Sequence, residues 1–126
     1  MIVGTGIDIV EVERIESVYQ RRGDRFVSHV LHTEELAEFN ASQYKARFLA
    51  KRFAVKEAAT KALGTGQANQ VLLRHFYISH DENGRPVLHA CDQALALCQQ
   101  LGVTGMHVSI ADETGYAVAS VVLERP

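Results

Sequence analysis

A carboxylate and an ammonium group lie one helical turn apart in the middle of the chain, at Glu57 and Lys61. Residues four apart share one side of a helix, and a glutamate that precedes its lysine has the favourable orientation for an ion pair. The surrounding segment, Ser42 to Gly66, is rich in alanine, leucine, lysine and arginine and therefore predicts one long helix. The pair is either an ordinary surface salt bridge or a charged site on a core helix.

The apolar residues of this predicted helix bear on that choice. At about 100° per residue they fall on nearly every side, which is typical of a buried helix. Burying a charge is costly unless it is paired, so we expect the charged side chains of this helix to meet specific partners. Ser42 offers a capping hydroxyl at the start, and Gly64 suits the left-handed conformation that ends many helices.

A second carboxylate, Asp8, lies in a segment from Ile2 to Val10 that alternates as a strand does. Asp8 shares one face of this strand with Gly4 and Gly6, and glycine within a strand often marks the close approach of a backbone or a ligand. The opposite face carries the apolar residues Val3, Ile7 and Ile9. By position alone, Asp8 is a strand-end cap, a turn carboxylate or a ligand-binding group.

Two motifs in the chain resemble those of one enzyme superfamily. Phe53 to Lys61, FAVKEAATK, resembles the F-x-x-K-E-A-x-x-K signature of the 4′-phosphopantetheinyl transferases, and Gly6 to Ile15, GIDIVEVERI, resembles their G-x-D-I-x-x-x-x-R segment. The motifs stand in the order and at about the separation found in the small members of that superfamily. The resemblance extends over essentially the whole chain, including the turn at Asn83 to Pro86 and the strand at His107 to Ile110.

The resemblance implies a specific reaction, which belongs to fatty acid biosynthesis. A serine of an apo acyl carrier protein would attack the β-phosphate of coenzyme A, accept the 4′-phosphopantetheine arm and release adenosine 3′,5′-bisphosphate. Asp8 and Glu57 would hold Mg²⁺, a cation that takes oxygen ligands and completes its shell with water and phosphate oxygens. Lys61 would neutralise or protonate the leaving phosphate. Either Glu57 or a metal-bound water would accept the serine proton.

The resemblance also implies contacts between the long helix and the other phosphates of coenzyme A. Arg52 and Lys56 are the candidates within the helix. Gly64 begins the segment Gly64 to Gly66, which resembles a phosphate-binding loop, although such a short glycine pattern is often only a helix stop.

Two further parts of the chain are implied in coenzyme A binding. His107 is either a phosphate contact or an ordinary packed or exposed strand histidine. The turn contributes candidate contacts with the adenosine or the 3′-phosphate, unless it is a simple hairpin turn: Asn83, Arg85 and Pro86.

Arginines cluster on and after the first predicted helix, Glu11 to Arg22. Basic residues at a helix C-terminus match the helix dipole, which explains part of the cluster without a partner. In the resembled family, however, this helix meets the acidic acyl carrier protein, which implies a docking surface with an apolar anchor. The candidate docking residues are Arg14, Val18, Arg21, Arg22, Arg25 and Phe26.

The other predicted elements complete an α+β fold. Their bounds are a helix at Glu34 to Phe39 capped by Thr33, a strand at Val71 to Ser79, a turn at Asp81 to Gly84, a helix at Cys91 to Leu101, and strands at Met106 to Ala111 and Tyr116 to Leu123. We expect a small, mainly antiparallel sheet wrapped around the long central helix, in one domain that covers residues 1–126. The resembled family assembles as a homotrimer with sites at subunit interfaces, which implies a trimer here as well. Apolar strands such as Val118 to Leu123 can pack between subunits.

Composition narrows the class of protein. A hydrophobic content of 47% and a charged content of 22% are ordinary for a globular domain, and a net charge of -2 argues against a general nucleic-acid binder. The chain has no apolar run long enough to span a membrane and no leader, so we expect a cytoplasmic protein. Cys91 and Cys98 would lie about 10 Å apart along a helix, too far for a disulfide, which predicts buried thiols in a reducing compartment.

Two other functions use the same residues. A magnesium-dependent hydrolase of nucleotides or coenzyme A would replace the serine with water and would need no carrier protein. An interaction module would use the basic helices to bind an acidic protein and would need neither Asp8 nor Glu57.

Overall fold

The computed structural model describes residues 1–64 and 70–126. Within these residues the elements follow in the order β1 (Ile2–Glu11), α1 (Val12–Arg22), α2 (Asp24–Val30), α3 (Leu36–Ala41), α4 (Lys45–Leu63), β2 (Phe76–His80), β3 (Pro86–Ala90), α5 (Asp92–Leu101), β4 (Gly105–Glu113) and β5 (Tyr116–Glu124). Short 3-10 turns at Thr33–Glu35 and Leu73–His75 precede α3 and β2.

The strands form two antiparallel sheets. In the three-stranded sheet β5 lies between β1 and β4, and β2 pairs with β3 in a separate hairpin. Helix α4 packs across the inner face of β1 and β5. The predicted α+β class and the mainly antiparallel pairing around a long helix are therefore confirmed.

Two glycines explain how closely α4 approaches the sheet. A Cβ atom at Gly4 would lie 2.0 Å from the carbonyl oxygen of Ala62, and one at Gly6 would lie 1.9 Å from that of Ala58. No side chain fits at such distances, so the glycine face of β1 is the face against which the α4 backbone rests. The predicted close approach is confirmed, and the approaching group is a backbone.

Helix α4 is buried as its apolar pattern predicted, with Leu49, Ala54 and Val55 fully enclosed. Its C-terminus is also confirmed, because Gly64 adopts the left-handed conformation with φ at 83°. Its predicted start at Ser42 is wrong. Helix α3 ends just before Ser42, whose hydroxyl accepts a hydrogen bond from the backbone N–H of Tyr44, and α4 begins one residue after Tyr44.

Two other predicted bounds also need correction. The turn before α3 is capped by His32, whose Nδ1 accepts from the backbone N–H of Glu34, and not by Thr33. The strand predicted from Val71 begins only at Phe76, because a 3-10 turn takes up the preceding residues.

The predicted turn at Asp81 to Gly84 is present and joins β2 to β3. The β2–β3 turn is held by Asp81, whose Oδ1 accepts from the backbone N–H groups of Asn83 and Arg85 at 2.9 Å each. Cys91 and Cys98 are free thiols; Cys98 is buried as predicted, whereas Cys91 is only half-buried. None of the helices in the described ranges is long and apolar enough to cross a membrane.

Candidate active site

The structure places the carboxylates of the two motifs beside each other. Asp8 lies on the inner face of β1, and Glu57 lies on α4, which packs against that face. Lys61 joins the two elements: its Nζ donates to Asp8 Oδ1 and to the carbonyl oxygen of Ile7, both at 3.0 Å. The ion pair of Lys61 is therefore made with Asp8 across the two elements, and not along the helix with Glu57 as the spacing suggested.

Electrostatics show that the two carboxylates interact. Burial raises the pKa of Glu57 above its ordinary value of 4.5, and the nearby negative charge of Asp8 raises it further. The positive charge of Lys61 and the field of His29 act in the opposite direction. A half-buried carboxylate repelled by a second one is stabilised by any cation that binds between them.

The donor set fits a hard cation that is only partly held by protein. Within residues 1–64 and 70–126, no group of three or more His, Cys, Asp or Glu side chains is arranged to hold a metal ion. Two carboxylates are nevertheless enough for Mg²⁺, which keeps several waters and takes further oxygens from substrate phosphates. Asp8 and Glu57 therefore fit Mg²⁺ together with a phosphate, and they do not fit a closed structural metal site.

His29 is a residue of this region that sequence reasoning missed. It lies on α2 and lines, together with Glu57 and Thr60, a cavity of about 250 Å³. No motif marks it, since it reaches Glu57 only because α2 packs over α4. Helix α2 thus contributes a side chain to the cavity that Glu57 lines.

The expected phosphate contacts at Arg52 and Lys56 are contradicted. Both side chains are buried, with exposed fractions of 5% and 0%, and both pair with Glu35. Lys56 Nζ lies 2.5 Å from Glu35 Oε1 and donates to the carbonyl oxygen of Val30 at 2.7 Å, and Arg52 lies 2.8 Å from Glu35 Oε2. Neither cation is free to bind a ligand, because the counter-charge that a buried cation needs is supplied by Glu35 within the protein.

Burial has a measurable consequence for Lys56. It lowers the pKa of this lysine from 10.5 to about 8, although the charge of Glu35 and the hydrogen bond to it oppose the change. The ammonium form is retained at neutral pH because Glu35 is present.

His107 lies on the outer face of the three-stranded sheet. It stands opposite Val122 in the β4–β5 register, and its Nε2 lies 2.7 Å from Glu124 Oε1. Asp8 points to the inner face, opposite Ala119. Within one chain, the structure therefore does not bring His107 together with the carboxylates.

The hairpin turn is also remote from the carboxylates within one chain. Asn83 and Arg85 are exposed, and Pro86 lines a small cavity with Phe48 of α4. Phe48 precedes Glu57 by nine residues, which is roughly 14 Å along a helix axis. At the other end of α4, Gly64 is exposed, and the next two residues of its predicted loop, 65 and 66, lie outside the described residues.

The arginines proposed for docking are exposed, but the proposed anchor is not. The side chains of Arg14, Arg21, Arg22 and Arg25 face solvent on α1 and α2, and Val18 is half-buried. Phe26 is only 8% exposed, and its ring packs against that of Phe53 with centroids 6.4 Å apart. This ring therefore ties α2 to α4 and leaves little apolar surface exposed at Phe26.

Comparisons with known proteins match the fold and the motifs. The family model for the 4′-phosphopantetheinyl transferase superfamily matches residues 4–121, and the chain therefore belongs to that superfamily. The predicted family and enzyme class are confirmed.

Its relatives point to a narrower group. A holo-(acyl-carrier-protein) synthase of Vibrio cholerae is 53% identical over 125 residues, with 99% of each chain covered, and one of Cronobacter sakazakii is 50% identical over 123 residues, with 98% of each covered. The crystal structure of the synthase from Neisseria meningitidis matches with a TM-score of 0.92 and 37% identity, over 99% of this chain and 100% of that one. The synthase from Bacillus anthracis in complex with CoA (3′,5′-ADP) matches with a TM-score of 0.81 and 34% identity, over 100% and 99%.

Proposed function

We propose that this chain transfers the 4′-phosphopantetheine group of coenzyme A to a serine of an apo acyl carrier protein and releases adenosine 3′,5′-bisphosphate, as in fatty acid biosynthesis. The observation that carries the proposal is the meeting of Asp8, Glu57 and Lys61, which come from the two motifs of the superfamily. Relatives named as holo-(acyl-carrier-protein) synthases, including one in complex with coenzyme A, support this choice of substrates.

In the proposed site, Asp8 and Glu57 would hold Mg²⁺. When bound, the cation neutralises the diphosphate of coenzyme A and polarises the phosphorus that is attacked. The repulsion between the two carboxylates supports this assignment, because it is relieved when a cation binds.

Lys61 supplies a fixed positive charge next to that position. Its ammonium group is partly exposed and is oriented by Asp8 and by the Ile7 carbonyl, so that it faces a phosphate bound at the carboxylates. Catalysis of phosphoryl-type transfer consists largely of such positioning and charge neutralisation. Since a carboxylate that binds a cation is a weaker base, we assign Glu57 to metal binding and the serine proton to a water molecule.

The carrier protein docks on α1 and α2 in this proposal. Arg14, Arg21, Arg22 and Arg25 form an exposed basic surface that suits a strongly acidic partner. Helix α2 also carries His29 at the wall of the site, so a protein bound on this surface has its serine near the carboxylates.

A homotrimer is the fourth part of the proposal. The outer face of the three-stranded sheet carries an apolar patch, with Ile7 and Ile9 exposed to 64% and 63% and with Val118 beside Ile9 in the register. Burying such a face between subunits is favourable, and His107 lies on it. His107 of one subunit can then meet coenzyme A bound to another. Light scattering should give a trimer for the wild type and a smaller species for Ile9→Lys.

The free thiols at Cys91 and Cys98 support a place in a reducing compartment, the cytoplasm.

The test follows formation of adenosine 3′,5′-bisphosphate from coenzyme A by chromatography, with and without an apo carrier protein. We expect the product only when carrier protein and Mg²⁺ are both present, and not with Glu57→Gln, whereas the exposed control Glu34→Gln should behave as the wild type. Formation of the bisphosphate without carrier protein would favour the hydrolase. If no bisphosphate formed with any carrier protein, the interaction module would be the remaining hypothesis.

A further inference from the structure

Helices α2 and α4 meet along one side of each helix, and on α4 this is the side that carries Glu57. The contacts involve residues three or four positions apart in each helix, a spacing that places side chains on one face. They are the ring pair of Phe26 and Phe53, the hydrogen bond from Lys56 to the Val30 carbonyl, and the cavity lined by His29 and Glu57. The contact at Lys56 is thus made one residue from the carboxylate that is proposed to hold the metal.

Lys56 caps the C-terminal end of α2. The last carbonyl groups of a helix have no partner within that helix, and Val30 is the final residue of α2. Lys56 Nζ donates to the Val30 carbonyl oxygen at 2.7 Å, and neither residue is exposed to solvent. A cation at this position also suits the negative end of the helix dipole. An ammonium group of α4 therefore supplies a cap for α2.

Glu35 holds this ammonium group in place. Its Oε1 accepts a hydrogen bond from Lys56 Nζ and another from the backbone N–H of His32. His32 and Glu35 belong to the turn that follows α2 along the chain. Lys56 is therefore tied both to the last residue of α2 and to the segment after it.

Stability alone does not require a buried ion pair at this place. Replacing a whole buried ion pair with apolar side chains is often neutral or even stabilising. The rings of Phe26 and Phe53 already attract the two helices to each other, but apolar attraction is not directional. A hydrogen bond from an ammonium group to one carbonyl oxygen is directional, and so it fixes where the end of α2 lies along α4.

We propose that Lys56 is a positioning residue for transfer to the carrier protein, and this inference rests on the proposed function. Lys56 is fully enclosed and therefore acts through α2. By capping this helix it fixes two α2 side chains relative to Glu57: Arg25 at the docking surface and His29 at the cavity. The serine of a docked carrier protein is then held at the right distance from the phosphorus that it attacks.

Lys56→Met tests the assignment, because it keeps an apolar stem of similar length and removes the ammonium group. Glu35 keeps Arg52 as its counter-charge at 2.8 Å in this variant, so we expect the variant to fold. The assay contains Mg²⁺ and is run at a temperature at which each variant is folded by circular dichroism. We expect kcat for transfer to the carrier protein to fall about tenfold, since small errors in positioning are costly in rate. The dissociation constant of coenzyme A, measured by calorimetry, should stay at the wild-type value.

Leu88→Ala is the control for lost stability. It removes buried side-chain atoms from β3, which does not carry α2 or the carboxylates. A folded Leu88→Ala variant should therefore transfer phosphopantetheine with the wild-type kcat.

A double-mutant cycle separates positioning from a general loss of stability. Arg25 lies on α2, whereas Arg14 lies on α1, which packs directly on α4. Once α2 is displaced, it no longer presents Arg25 correctly to the carrier protein. The losses in kcat/KM from Lys56→Met and Arg25→Ala should therefore combine to less than their product, whereas those from Lys56→Met and Arg14→Ala should multiply.

The other outcomes contradict the assignment. A wild-type kcat in folded Lys56→Met, or losses that multiply in both cycles, would overturn it, and weaker coenzyme A binding would place the role of Lys56 at Glu57 instead of α2. If Lys56→Met does not fold, Lys56→Arg takes its place, because the longer side chain keeps the charge beside Glu35 and displaces the end of α2. This variant should show the same selective loss of kcat, and a wild-type kcat would again overturn the assignment. If the wild type transferred nothing to any carrier protein, the proposed function itself would fail together with this inference.

Discussion

Replacement of Glu35 by alanine should destabilise the protein more than any other loss of a single charge. Its carboxylate is buried and accepts four hydrogen bonds, from Lys56 and Arg52 and from the backbone N–H groups of His32 and Ile78. In Glu35→Ala two buried cations lose their main counter-charge. Removing one partner of a buried ion pair costs about 3–5 kcal/mol, because the remaining charge is left without compensation. Small domains have a free energy of unfolding of only about 5–15 kcal/mol, so the loss is a large fraction of the total.

Glu38 provides the matched control for this experiment. It also pairs with Arg52, at 3.0 Å, but its side chain is 52% exposed. A pair in contact with solvent contributes about 0–1 kcal/mol, so Glu38→Ala should be nearly neutral. Urea denaturation followed by circular dichroism gives both free energies of unfolding. We infer that the buried cluster of Glu35, Arg52 and Lys56 holds α4 to the rest of the protein. Equal losses of stability in the two variants would refute this inference, because an exposed charge pair would then contribute as much as the buried cluster.

Three other predictions follow from single positions. Gly6→Ala should lower the thermal midpoint of unfolding sharply, because its Cβ would meet the Ala58 carbonyl oxygen. Gly115→Ala is the control and should leave the midpoint unchanged, because there is open space around Gly115. Similar midpoints for the two variants would contradict the close packing of α4 on β1. Glu57→Gln should melt at or above the wild-type temperature at pH 7. The pKa of Glu57 is raised in the folded protein, so its charged form destabilises the fold above about pH 4.5 and has no effect well below that pH. If the wild type became more stable relative to Glu57→Gln as the pH rises from 4.5 to 7, ionised Glu57 would stabilise the fold, and the prediction would be contradicted. Arg21→Ala should raise the KM for the carrier protein without changing kcat. The difference in KM between this variant and the wild type should shrink as salt increases, because exposed charges are screened. A difference in KM that does not depend on salt would exclude an electrostatic role for Arg21.

Sequence reasoning succeeded where local pattern and tertiary contact agree. Glycines on the Asp8 face of β1 predicted a close approach, and the α4 backbone occupies that place. An apolar pattern on all sides predicted that α4 is buried, and it predicted that the charges of this helix need partners. The motifs selected Asp8, Glu57 and Lys61, which the structure brings together.

It failed where the partner of a residue is distant in sequence. Glu35 lies 17 and 21 residues before Arg52 and Lys56, and no local pattern in the sequence links it to either of them. The resemblance alone therefore assigns the two cations to a ligand. His29 was missed for the same reason, because only the packing of α2 on α4 brings it to Glu57.

The intact mass of an apo acyl carrier protein after incubation with this protein, coenzyme A and Mg²⁺ tests the central claim most directly. The proposed function predicts a gain of one phosphopantetheine on the carrier, which disappears when the metal is omitted or when Glu57→Gln replaces the wild type. An unchanged carrier mass in the presence of folded wild-type protein, metal and several different carrier proteins would contradict it.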